Sequence, residues 1–107
     1  MAIMQKVTVY GFGSFFSNQK VAKDIDILIL HDEISYVSAR FASLVKKFCK
    51  SAIPFSDIVM LSKKEEQDMS FIKMSKATYI GDISSNSIED DVGNLLYVLI
   101  SKTCSNS

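Results

Sequence analysis

Residues 24–30, with the sequence DIDILIL, constrain the fold more than any other part of the chain. The run is aliphatic and largely β-branched, which is typical of a strand buried on at least one face. Side chains at i and i+2 of a strand point to the same face, so Asp24 and Asp26 project together, opposite the three isoleucines. Two neighbouring carboxylates at a buried strand carry a desolvation and repulsion cost. A hard divalent cation with oxygen ligands, Mg²⁺ above all, offsets that cost most simply.

The rest of the chain alternates between strand and helix patterns, read from periods of two and of three to four residues. Strands are predicted at residues 6–10, 24–30, 55–61 and 77–80, and helices at 32–50, 63–76 and from 88 onward. Ser62 and Glu65 form a capping-box pattern at the start of the second helix. This order predicts an α/β domain of the α+β type, a small mixed β-sheet with helices packed on one face. One domain is expected over residues 1–107, with a frayed tail at 102–107.

Composition excludes several classes of function. Twelve basic and twelve acidic residues balance, so neither an extensive nucleic-acid surface nor an anionic membrane is an expected partner. No apolar stretch approaches the roughly 20 residues that a membrane helix needs, and no signal peptide is evident. Cys49 and Cys104 are far apart in sequence and have no metal-type spacing, which indicates reduced thiols and a cytoplasmic protein.

A glycine-rich turn precedes the acidic strand. Gly11 and Gly13 permit a tight turn, and the backbone amides around Gly13 and Ser14 can approach phosphate oxygens because no large side chain intervenes. A dinucleotide-binding turn is disfavoured, since Phe16 stands where the third glycine is needed, and no P-loop sequence is present. The competing interpretation of Asp24 and Asp26 is that they are solvated charges at a strand start.

Gly-Ser, nine further residues and then Asp-Ile-Asp-Ile resembles the signature of the polymerase-beta-like nucleotidyltransferase superfamily. More narrowly, residues 9–30 resemble the minimal nucleotidyltransferase domain. The chain departs from that pattern at Ser17-Asn18, where the family has a small residue and glycine, and at Lys23, where a serine is common. The resemblance implies the polymerase-beta-like fold and a third carboxylate on a neighbouring strand. Asp57 stands where that residue is expected, on the same strand face as Val59 and Leu61.

The resemblance also implies a role for each residue. Asp24, Asp26 and Asp57 would be the catalytic residues that hold two Mg²⁺ ions against ATP or another nucleoside triphosphate. Asp57 would in addition orient or deprotonate the acceptor hydroxyl, and Ser14 would bind a terminal phosphate beside Gly13. Lys23 and Lys63 are candidate contacts to the triphosphate, although lysines on a helix surface are usually only solvated.

The implied activity is metal-dependent transfer of a nucleoside monophosphate, AMP from ATP in the first instance, to a hydroxyl. The chain has no second lobe to select an acceptor, so a partner protein is expected, and the resemblance points to a HEPN-type toxin of a toxin–antitoxin pair. Two alternatives stay open. One is modification of a small molecule such as an aminoglycoside, with a homo-oligomer completing the site. The other is a non-catalytic binding module that acts as an antitoxin by contact alone.

Overall fold

The structure is a computed structural model that describes residues 5–13, 25–32 and 36–104. Within those residues the strands are β1 (Lys6–Phe12), β2 (Ile25–His31), β3 (Ser56–Ser62) and β4 (Thr78–Ser84). The helices are α1 (Tyr36–Ala52), α2 (Lys63–Met69), α3 (Phe71–Ser75) and α4 (Ile88–Cys104). The elements confirm a small mixed α/β domain.

The strands form one sheet in the order β3-β2-β1-β4 among the described residues. β1 is antiparallel to both β2 and β4, whereas β2 and β3 are parallel and joined through α1. Consequently β1 ends where the other strands begin. We call this side of the sheet the front edge, marked by Phe12, Asp26, Asp57 and Thr78, and the opposite side the back edge, marked by His31, Ser62 and Ser84.

The main core lies between one face of the sheet and the two long helices, α1 and α4. Val9, Ile27 and Ile29 are fully buried on the sheet side of this layer. The helices bury an apolar stripe against them: Phe41, Ala42, Val45 and Cys49 from α1, and Val92, Leu95 and Leu99 from α4. Burial raises the pKa of the Cys49 thiol to about 11, so it stays protonated and packs as a small apolar side chain.

The opposite face of the sheet carries a smaller cluster, built on Leu28, Leu30 and Leu61. Phe71 and Ile72 of α3 pack against it. The prediction that helices cover one face therefore holds for the two long helices, while the short α3 lies on the second face. The prediction of a single helix over 63–76 is wrong, because Ser70 takes a left-handed conformation (φ 51°, ψ 41°) that ends α2.

Element boundaries differ from the sequence prediction in several further places, and α1 continues to Ala52, two residues beyond its predicted end. β1 continues through Gly11 to Phe12, because β2 and β4 both pair with Gly11. β4 is seven residues long and not a short edge segment. α4 runs through Cys104 although fraying was expected from residue 102, and residues 105–107 lie outside the described ranges. The capping box of Ser62 and Glu65 is confirmed, with both reciprocal hydrogen bonds formed.

Asp91 fastens the start of α4 to the end of β4. Its Oδ2 accepts hydrogen bonds from the Ser84 backbone N–H at 2.9 Å and from the Ser87 hydroxyl at 2.8 Å. The backbone hydrogen bond from Ser84, followed by the serine hydroxyls, lowers the pKa of Asp91.

None of the helices in the described ranges combines the length and the hydropathy that a membrane crossing requires.

We expect Asp91→Ala to lower the free energy of unfolding at neutral pH by about 1 kcal/mol, since hydrogen bonds to a charged group are lost. A depressed pKa stabilises the fold above the unfolded value and loses that effect as pH falls through the folded value. The difference between wild type and variant should therefore shrink below about pH 4. Urea titrations at neutral and acidic pH measure it, and a gap that is independent of pH would contradict the assignment.

Candidate functional site at the front edge

Two carboxylates lie side by side at the front edge. Asp26 is the second residue of β2 and Asp57 the second residue of β3, and the two are direct partners in the parallel ladder. Partners on adjacent parallel strands have their side chains on the same face, with the strands about 4.8 Å apart. That face is the one that carries Leu28 and Leu61, opposite the long helices. Asp26 is half-buried and Asp57 is exposed.

Gly13 lies directly against the Asp26 carboxylate. The antiparallel pairing of Phe12 with Asp26 brings the end of β1 to this position. Gly13 has φ 80°, and a Cβ placed on it would be 2.1 Å from Asp26 Oδ2. A side chain at residue 13 would force the carboxylate to move, and a left-handed backbone is also the conformation that favours glycine. The glycine turn and the first described acid are therefore one structural unit.

Three of the residues singled out from the sequence, Ser14, Lys23 and Asp24, lie outside the described ranges. The expected set of three acids is consequently represented by Asp26 and Asp57. Within the described part of the chain, no group of three or more His, Cys, Asp or Glu side chains could hold a metal ion. The roles predicted for Ser14, Lys23 and Asp24 stay predictions.

Lys63 is not brought to the carboxylates. It follows β3 at the back edge, six residues after Asp57, which corresponds to about 20 Å of strand. Its Nζ is 2.8 Å from Asp32 Oδ1, and this hydrogen bond raises the pKa of Lys63. Both side chains are more than half exposed, so the ion pair contributes little to stability. His31 is also at the back edge, buried, with Nδ1 3.0 Å from Ser38 Oγ of α1.

Sequence reasoning missed two contacts at the front edge. The Lys50 ammonium at the end of α1 donates to the backbone carbonyl of Ser56, next to Asp57, and places a positive charge at the front edge. Phe12 packs edge-to-face on Phe71, with ring centroids 5.0 Å apart, on the same sheet face as Asp26. The ring contact joins β1 to α3, whose relative position depends on the sheet order, and the Lys50 hydrogen bond depends on the conformation of the connection between α1 and β3.

The front edge presents two carboxylates, Asp26 and Asp57, as oxygen donors on adjacent strands. Carboxylate oxygens on adjacent strands can share one ion, and hard oxygen ligands are those that Mg²⁺ prefers. The exposed position of Asp57 leaves the edge open to a second molecule. Comparison of the chain with models of known protein families, with curated proteins and with solved structures gives no match.

Proposed function

We propose that this chain is a minimal nucleotidyltransferase, which moves a nucleoside monophosphate from a metal-bound triphosphate to a hydroxyl on a partner protein. One observation carries the proposal: Asp26 and Asp57 are in register on adjacent parallel strands, and the Gly13 backbone lies against one of them. The motif at residues 9–30 requires a glycine turn next to the paired acids, with a third acid across an intervening helix. In this chain Gly13 lies next to Asp26, and Asp57 follows Asp26 across α1.

The fold supports the same proposal. The resemblance implies a third carboxylate on a strand that neighbours the acidic strand, after one intervening helix. Here β2 lies between β1 and β3. The glycine turn and both described acids consequently meet at one edge of the sheet.

The three acids share one role in the proposed reaction, and Asp57 has a second role. Asp24, Asp26 and Asp57 would hold Mg²⁺, which when bound neutralises the triphosphate and the charge that develops on the leaving group. Asp57, the more exposed of the two described acids, would accept the proton of the acceptor hydroxyl. The hydroxyl oxygen forms a bond to the α-phosphorus while the bond from that phosphorus to the β-phosphate oxygen breaks, and pyrophosphate leaves.

The phosphates would be bound on the Gly13 side of the acids. Backbone amides at Gly13 and Ser14, with the Ser14 hydroxyl and Lys23, are the proposed donors to the phosphates. Lys63 has no part in the proposal, because a triphosphate on Asp26 does not extend to the back edge.

Isothermal titration calorimetry with ATP, in the presence and absence of Mg²⁺, tests the proposal. Wild type should bind ATP in a metal-dependent manner, and Asp26→Asn and Asp57→Asn should each weaken binding at least about tenfold, equivalent to 1.4 kcal/mol. Asp32→Asn and Lys63→Met are matched controls at the back edge, and their affinities should stay close to that of wild type. Equal weak heats from wild type and Asp26→Asn would instead favour a non-catalytic binding module.

A further inference from the structure

The outer surface of the α1–α4 layer, on the face of the sheet opposite the carboxylates, exposes large apolar side chains. Tyr36 is 77% exposed, Tyr97 is 73% exposed and Ile100 is 59% exposed. They belong to two stripes at helical spacing. The α1 stripe comprises Tyr36, Arg40, Leu44 and Lys47, and the α4 stripe comprises Glu89, Gly93, Tyr97 and Ile100. A partner that contacts both helices would cover these apolar side chains.

The two stripes carry opposite charges. α1 has four basic residues and no acidic residue along its length. α4 begins with Glu89, Asp90 and Asp91 and has no basic residue up to position 101. The α1 stripe also lines a groove of about 570 Å³, together with Gln5. A surface complementary to the α1 stripe should therefore be apolar and acidic, which describes the α4 stripe of another copy of this chain.

Gly93 is the least expected residue of the α4 stripe. Glycine is one of the two least favourable residues in a helix interior, and Gly93 is exposed in mid-helix. A Cβ built on it meets no atom within 4 Å, so nothing among the described residues of the same chain requires glycine there. A glycine on a helix surface allows another backbone or a large side chain to approach closely. Gly93 is therefore an observation independent of charge that points to an occupant of this surface.

The helix directions allow two copies to pair symmetrically. β2 and β4 both end at the back edge, so α1 and α4 both begin there and run parallel toward the front edge. A two-fold axis parallel to the helices and between them places α1 of each copy on α4 of the other at matching heights. Arg40, the fifth residue of α1, then faces Gly93, the sixth of α4, with Glu89 one turn before it. Leu44 similarly faces Tyr97.

We infer that two copies of the chain associate through these stripes into a two-fold dimer. An axis perpendicular to the helices is disfavoured, because it stacks α1 on its own copy and brings Arg40 and Lys47 of both chains together. The dimer covers the apolar residues of both helices. Both front edges stay open, since Asp26 and Asp57 lie on the other face of the sheet. The inference does not depend on the proposed function.

A charge-exchange experiment tests the pairing of α1 with α4. In sedimentation velocity over a concentration series, wild type should dimerise, and Arg40→Glu and Glu89→Arg alone should each associate at least about tenfold more weakly. An equimolar mixture of the two variants should recover the dimer, because both contacts of the mixed pair then join opposite charges. Wild type that stays monomeric at every concentration, or a mixture that associates no better than its components, overturns the inference.

The variant Gly93→Gln tests whether dimerisation can be weakened without a loss of the folded structure. A glutamine favours the helix more than glycine does and has open space in the single chain, so circular dichroism should show a folded protein. Its added side chain should nevertheless weaken dimerisation at least about tenfold by holding the helices apart. The matched control is Asn94→Gln, an exposed neighbour outside the stripe, which should dimerise like wild type. Gly93→Gln that dimerises like wild type overturns the inference.

Discussion

Replacing Asp26 with asparagine is expected to reduce nucleotidyl transfer by at least about a hundredfold, and Asp57→Asn should have an effect of the same order. The substitution keeps the size of the side chain but removes the negative charge that a divalent cation needs. Asp26 also forms one unit with Gly13, so its loss affects the proposed metal ligands and the proposed phosphate-binding turn together. The effect on Asp57 includes the loss of the proposed proton acceptor.

The assay works whether or not the acceptor has been identified. Each labelled nucleoside triphosphate is incubated with the chain and a cell lysate, and mass spectrometry then identifies nucleotidylated proteins or small molecules. Asp32→Asn provides the matched control, because the same chemical change is made at an exposed acid on the back edge. Labelling that is unchanged in Asp26→Asn would contradict the proposed role of the carboxylate pair. A labelled small molecule in place of a protein would identify a small-molecule transferase.

The response of stability to Mg²⁺ should distinguish wild type from Asp57→Asn, because the substitution removes a negatively charged oxygen donor. Added Mg²⁺ should stabilise wild type and leave the variant almost unaffected, since ligand binding to the folded state shifts the unfolding equilibrium. Thermal melts with and without Mg²⁺ measure both responses. Equal cation responses would show that the pair does not hold the ion.

The alternation of side chains along the acidic strand predicted much of this arrangement. A period of two assigns Asp26 to the face opposite Ile27, and Asp57 to the face of Leu61, whatever the order of the strands in the sheet. The structure has both residues on those faces. Alternation along single strands does not fix the register between strands, which depends on turns and on packing of the whole sheet. The contact of Gly13 with Asp26 and the direct pairing of Asp26 with Asp57 could therefore not be read from the sequence.

Two departures from the sequence prediction have different physical origins. The break at Ser70 comes from tertiary contacts, because the left-handed residue turns Phe71 and Ile72 onto the leucines of the second face. Local propensity gives no warning of such a break. The position of Lys63, by contrast, could have been predicted from the sequence. A residue that follows a strand lies at the other end from a residue that begins it, so Lys63 and Asp57 belong to opposite edges of the sheet.

Gly13→Ala is the substitution with the largest expected combined effect on stability and activity. Alanine at φ 80° costs about 1 kcal/mol or more, and its Cβ would stand 2.1 Å from Asp26 Oδ2, so the carboxylate must move. We expect an overall loss of about 2 kcal/mol in unfolding free energy. A displacement of about 1 Å at a catalytic group can reduce the rate about a hundredfold.

A double-substitution cycle identifies the cause of the loss. If the collision with the carboxylate is responsible, Gly13→Ala combined with Asp26→Ala should be more stable than the sum of the two single effects predicts, because the oxygen that obstructs the methyl group is gone. The remaining penalty should be the backbone cost alone, since the Asp26 Cβ is 3.4 Å from the added carbon and in ordinary contact. Chemical denaturation of the four proteins measures the coupling. Strict additivity would mean that residue 13 and the carboxylate do not share space, and the glycine turn would then lose its structural link to the acidic strand.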